Sequence, residues 1–207
     1  MKVLLINGSS HKAGCTFTAL AEVEKQLQVS GIETEIFQIG NKPIRGCIGC
    51  GKCSTNDHRC IFNDDIANTA LEEVKKADAL IIGSPVYYAS ANGSLISLLD
   101  RVFYAGDCFA YKPGAAVVSA RRAGTTATLD ELNKYFTIAN MPVVSSQYWN
   151  MVHGNTPDEV KQDKEGLQIM RTLGDNMAWL LKCIEAGEKA GIHHPVSEKK
   201  EMTNFVR

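Results

Sequence analysis

Short apolar runs alternate with amphipathic stretches along most of the chain. Lys2–Asn7 (KVLLIN) has a continuous apolar centre, the pattern of a strand buried on both faces. Residues 16–28 then place Phe17, Leu20, Val23 (or Glu24) and Leu27 near helical spacing, with Gly31 as a stop. Residues 33–39 alternate polar and apolar, which predicts a second, more exposed strand. A Gly- and Cys-rich loop fills residues 40–60, and Asp64 or Asp65 is placed to cap a helix running to about Lys76. Residues 79–83 and 115–119 read as the third and fourth strands, followed by helices over 95–103 and 128–138. Residues 143–146 open a fifth strand. Residues 158–186 form a long helical segment in which Gly166 and Gly174 are candidate interruptions.

Strands alternating with helices predict βαβ units and a parallel sheet. Right-handed crossovers narrow the topology to a doubly wound α/β sheet, and five strands suit the order 2-1-3-4-5. One domain is expected over residues 1–190, with its cysteine loop at 46–60. A polar tail at 191–207 is expected to pack loosely or on a partner subunit. The 207 residues suffice for one sizeable core. Lys and Arg (22) nearly balance Asp and Glu (23), so charge gives no reason to expect a nucleic-acid or membrane partner. The apolar runs fall short of the roughly 20 residues that span a bilayer, and no secretory leader is visible. The expectation is a soluble, cytoplasmic protein. Seven cysteines, an odd number, argue against a disulfide framework.

Three loops follow strands and carry candidate chemistry. The first, Gly8-Ser9-Ser10-His11-Lys12-Ala13-Gly14-Cys15-Thr16, opens the first helix, where backbone N–H groups and the helix dipole suit a phosphate. It lacks both G-x-x-x-x-G-K-[ST] and G-x-G-x-x-G, which disfavours a triphosphatase or a dinucleotide turn. The second, Gly83-Ser84-Pro85-Val86-Tyr87-Tyr88, offers a stiffened turn and flat aromatic surface for a planar ligand. The third, Ser119-Ala120-Arg121-Arg122-Ala123-Gly124-Thr125, carries positive charge that can stabilise an anionic ring or bind a donor's phosphate.

These loops resemble those of the NADPH-dependent FMN reductase and flavodoxin-like family, which often has Arg where this chain has His11, and Asn or Ser where it has Cys15. The resemblance implies a flavodoxin-like three-layer α/β/α sandwich with FMN at the switch point between strands 1 and 3. It implies that Ser9, Ser10, His11, Cys15, Thr16, Phe17 and Thr18 surround the phosphate end. Pro85, Val86, Tyr87 and Tyr88 would lie along the ring, and Ser119, Arg121, Arg122 and Gly124 at its pyrimidine side. Residues 92–101 resemble a family helix that ends in an Asp-Arg pair, here Asp100-Arg101.

Cys47, Cys50, Cys53 and Cys60 fall within fourteen residues, at gaps that let thiolates wrap a compact cluster, and Gly46, Gly49 and Gly51 permit tight bends. Zinc also accepts four thiolates, and free thiols are a third reading. The spacing is similar to the compact cysteine motif of archaeal iron-sulfur flavoproteins, a branch of the same family. That likeness implies these four residues as ligands of a [4Fe-4S] cluster exchanging electrons with FMN. The loop follows strand 2, so it is expected on the same sheet edge as the other three, with the two redox centres close together, within one chain or across a subunit boundary.

Smaller features complete the reading. Residues 149–154 are expected after the fifth strand, with His153 structural or donating to a substrate. Cys108 and Cys183 read as buried hydrophobes, and Met170, Leu173, Met177, Leu180 and Leu181 as a packing face. The resemblance implies electron or hydride transfer through the flavin, with NAD(P)H as a donor. It also implies a small-molecule acceptor or a ferredoxin-like redox protein as partner, and a homodimer or homotetramer. An NAD(P)H-dependent FMN or quinone reductase without a cluster and a flavodoxin-type electron carrier are the alternatives. No catalytic side chain is assigned.

Overall fold

The computed structural model describes residues 1–198, 201 and 203, so the expectation for the tail at 191–207 falls partly outside the described residues. Five parallel strands and one short antiparallel strand form a single sheet. The strands are β1 (Lys2–Asn7), β2 (Glu33–Gln38), β3 (Ala79–Tyr87), β4 (Ser90–Ala91), β5 (Gly114–Ala120) and β6 (Met151–His153). Their order is β2-β1-β3-β5-β6, with β4 folded back on the end of β3. With β4 set aside, this is the expected 2-1-3-4-5 order, and the switch point lies between β1 and β3.

Helices α1 (Cys15–Val29), α2 (Ala67–Lys76), α3 (Gly93–Ala105), α4 (Thr125–Ile138), α5 (Pro157–Val160) and α6 (Lys164–Lys189) cover both faces. The period-two geometry of the strands divides the core. Leu4, Ile6, Leu80, Ile82, Ala116 and Val118 point toward α2, α3 and α4. Val3, Leu5, Ala79, Ile81, Ala115 and Val117 point toward α1 and α6. The continuous apolar runs of the central strands arise because both faces are buried.

Several boundaries differ from expectation. Val143 forms only an isolated bridge to Gly114; the edge strand proper is β6, inside residues 149–154 rather than before them. A three-residue strand is too short for alternation to register. The long helical segment breaks after Val160 because Asp163 caps a new helix, its carboxylate accepting from the Gly166 N–H at 2.9 Å. α6 runs unbroken through Gly166 and Gly174: a Cβ at Gly166 would stand 2.3 Å from the Asp163 carboxylate oxygen, and one at Gly174 2.8 Å from Gln26. Both glycines are there for close packing. Of the α6 face, Met170, Leu173, Met177 and Leu181 are buried and Leu180 is half-buried. Cys183 is exposed and Cys108 only half-buried, unlike the buried pair expected.

Candidate functional site

The C-terminal ends of β1, β3 and β5 meet along one rim. Gly8 sits where no side chain fits: a Cβ there would lie 2.5 Å from the Gly83 carbonyl oxygen and 2.4 Å from Leu95. That close approach lets the Gly8 N–H donate to Gly83 O at 2.8 Å, extending the β1–β3 ladder into the loop. Asn92 caps α3 by accepting from the Ser94 N–H, and its amide donates to Gly8 O at 2.7 Å. The Ser84 hydroxyl accepts from the Asn92 N–H at 3.1 Å. Gln38, at the end of β2, donates to Ser9 O at 2.6 Å.

The rim encloses a cleft of about 560 Å³. Of the residues expected to hold a ligand, Ser9, His11, Cys15, Thr16, Pro85, Tyr87 and Ser119 line it. Thr16 and Ser119 share a buried hydroxyl–hydroxyl hydrogen bond of 2.9 Å that ties α1 to β5. Ser10 and Tyr87 bond across the mouth at 3.2 Å. Phe17, Thr18, Val86, Tyr88, Arg121, Arg122 and Gly124 lie off the lining. The Thr18 hydroxyl bonds back to Gly14 O, Val86 packs where a Gly124 Cβ would be, and both arginines point to solvent. Tyr88 is fully exposed at a positive φ of 59°, in the two-residue turn that joins β3 to β4.

The cleft's far wall, Asn155, Thr156 and Pro157, was not singled out from the sequence. The signal was there: Thr156 accepts from the Glu159 N–H, Glu159 accepts from the Asn155 N–H, and Pro157 opens α5. This is capping-box chemistry, readable as T-x-x-E.

The floor of the cleft suits an anion. The N–H groups of Gly14, Cys15 and Thr16 donate to no acceptor of another residue among the described residues. α1 has no side-chain cap and no acidic residue in its first turn, so the positive end of a 15-residue helix opens into the cleft. Burial pushes the Cys15 thiol up from its ordinary value, and the thiol donates to Gly154 O. It stays neutral and adds no negative charge to the floor.

The four clustered cysteines form a second site. All four line one pocket, with Arg101, Tyr104 and Ala105 of α3 behind them. Cys47 and Cys50 are exposed; Cys53 and Cys60 are half-buried. Gly49 and Gly51 take φ of 64° and 66°, bends that glycine adopts without strain. Among the described residues, no three His, Cys, Asp or Glu side chains stand ready to hold a metal ion. The loop leaves the rim beside Ser9 but does not stay there. α3 runs back along the sheet, and Arg101 lies nine residues after its cap Asn92, about 14 Å of helix rise. Within one chain the cysteines therefore sit down the flank, not on the rim as expected.

One residue organises this site, and its role was hidden in the sequence. α3 continues past Asp100-Arg101 to Ala105, and the Arg101 side chain is 1% exposed. It pairs with Asp65 and donates to Cys60 Sγ (3.3 Å), Phe62 O (3.0 Å) and Arg45 O (3.2 Å). Burial alone raises the Asp65 carboxyl, but hydrogen bonds from Ala67, Arg45 and Arg101 together with the Arg101 charge outweigh it and hold the carboxyl below the usual range.

This sheet order, with an open cleft at the β1–β3 switch point, defines a flavodoxin-like protein. Solved structures agree on the fold. RosB with a bound 8-demethyl-8-formylriboflavin-5'-phosphate intermediate superposes with a TM-score of 0.71, at 16% identity, over 100% of this chain and 92% of that one. A flavodoxin from the domain Archaea gives 0.60, at 15% identity, over 88% and 99%. The model of the NADPH-dependent FMN reductase family matches residues 1–156, and the chain belongs to that family. It is an FMN-dependent oxidoreductase. An iron-sulfur flavoprotein of Methanocaldococcus jannaschii is 32% identical over 194 residues, covering 89% of this chain and all of the relative. No helix among the described residues is long and apolar enough to cross a membrane.

Proposed function

We propose that the protein is an iron-sulfur flavoprotein. In this reading the rim cleft holds FMN, and Cys47, Cys50, Cys53 and Cys60 hold a [4Fe-4S] cluster that exchanges electrons with it. The observation that carries the flavin half is the set of unpaired N–H groups at Gly14, Cys15 and Thr16, aligned at the positive end of α1. They would take the phosphate, with the Ser9 hydroxyl beside them. Pro85 and Tyr87 would bound the ring, and Arg121 and Arg122 stand just beyond the end of β5 to receive an anionic edge or a donor's phosphate. FMN, when bound, supplies both one- and two-electron chemistry. The protein's part is to seat the phosphate, orient the ring and leave one side open.

The convergence of four thiols on one pocket supports the cluster. A single tetrahedral zinc needs its sulfurs about 3.8 Å apart, from Zn–S bonds of about 2.3 Å. A multi-iron cluster spreads its thiolates wider than one ion does, and four cysteines around one pocket are the donor set it takes. All seven cysteines are free, which fits a reducing compartment, and we place the protein in the cytoplasm. A homodimer or homotetramer, with a small-molecule acceptor or a ferredoxin-like protein as redox partner, belongs to the same reading.

The cluster-free reading, an NAD(P)H-dependent FMN or quinone reductase, is favoured by one observation: no three of the thiols stand ready for a metal ion. Anaerobic purification decides between the two. The iron-sulfur reading expects about four irons and four sulfides per flavin, with absorbance near 400 nm beneath the flavin bands. Flavin without iron, bleached rapidly by NADPH, would establish the alternative.

A further inference from the structure

Arg101 is a buried cation with every nitrogen engaged, and all four acceptors belong to the cysteine loop and its exit. Nε–H donates to Cys60 Sγ at 3.3 Å, one terminal nitrogen donates to Arg45 O and Asp65, and the other to Phe62 O. Residues 45 and 62 bracket the four cysteines, so a single planar group closes the ends of the loop on each other. Asn68 fastens the same point from α2: its Oδ1 accepts from the Cys60 N–H at 2.9 Å and its amide donates to Cys60 O at 2.8 Å. A lysine has no fixed fork and reaches fewer of these acceptors at once.

The position of the charge matters as much as the bonds. Arg101 lines the four-cysteine pocket, and its counter-ion Asp65 is not among the lining residues. A cluster held by four thiolates carries net negative charge, and N–H bonds to its sulfurs raise its reduction potential. We infer that Arg101 is the positioning residue of the cluster site: it orients Cys60 as a ligand and, balanced by Asp65, sets the potential of the cluster. This rests on the iron-sulfur reading above.

The test uses the full chain reconstituted anaerobically as wild type, Arg101→Gln and Asp65→Asn. Iron, sulfide and FMN per chain are measured, and both midpoint potentials are followed in a redox titration. Arg101→Gln removes the cation and the N–H···S bond, so the cluster midpoint moves to more negative values. Asp65→Asn leaves the cation uncompensated, so the midpoint moves the other way. The flavin midpoint and FMN content, at the far end of α3, stay as in the wild type. If Arg101→Gln keeps FMN but loses iron at least fivefold, Arg101→Lys, which keeps the charge without the fork, recovers loading only in part and supports the assignment, whereas full recovery overturns the orienting role. A loop brace without electrostatic influence would shift both variants in the same direction or neither, and either result overturns the inference alone. Wild type that takes up no iron and sulfide overturns the iron-sulfur reading and the inference together.

Discussion

The rim cleft and the cysteine pocket are built by different means. The rim is an extension of the sheet: Gly8 continues the β1–β3 ladder, Asn92 locks it to α3, and Thr16 bonds Ser119 across the cleft. The cysteine pocket has no ladder beneath it. Between β2 and α2 the chain makes only a short 3₁₀ turn at Lys52–Thr55, and side chains from α2 and α3 hold the loop. A site made by strand ends is stiff before its ligand arrives. One hung from a buried ion pair depends on that pair.

The largest expected effect removes the pair. Asp65→Ala strands the Arg101 cation in a buried place and should cost about 3–5 kcal/mol in a urea melt. Hydrogen exchange should show amide protection lost over residues 45–62 while FMN affinity is retained; loss of both sites together would break the contrast. Acid should open the same loop. The folded-state pKa of Asp65 lies below its ordinary 3.8, so its contribution is complete above that pH and is lost as pH falls through the lower, folded value. Exchange rates between pH 5 and 2 should therefore rise at residues 45–62 before they rise at β1 and β3.

Gly8→Ala tests the other side. The Gly83 carbonyl belongs to a central strand and cannot retreat, so overpacking should cost about 1–3 kcal/mol. FMN affinity should fall at least tenfold by fluorescence titration, with the cysteine loop's protection unchanged. Thr16→Val is the mildest break. It removes the bond to Ser119 and should cost about 1 kcal/mol in thermal melts, with a smaller loss of FMN affinity.

The same contrast explains what was legible in the sequence. The central strands β1, β3 and β5 are apolar on both faces, and the helices that cover them repeat at helical spacing, so the sheet order and the rim loops could be read directly. β6 could not: three residues carry no period, and the Val143-Val144 pair before it looks more like the start of a strand. Asn155, Thr156 and Pro157 were missed because a capping signature marks a helix start and says nothing about what that start faces. Arg101 was noted only as part of the Asp100-Arg101 pair, and its role was missed for a deeper reason. An arginine near the end of a helix reads as solvated, and only tertiary structure reveals that its acceptors come from residues 45, 60, 62 and 65. The cysteine spacing was plain, but the direction the loop takes along α3 is set by those contacts and not by the strand it leaves.

A crystal structure of the protein with FMN bears most directly on the rim as the flavin site. The phosphate should accept hydrogen bonds from the N–H groups of Gly14, Cys15 and Thr16, with the ring against Pro85 and Tyr87. FMN seated elsewhere, for instance in the cavity of about 910 Å³ between α6 and the loop around Lys112, would contradict it.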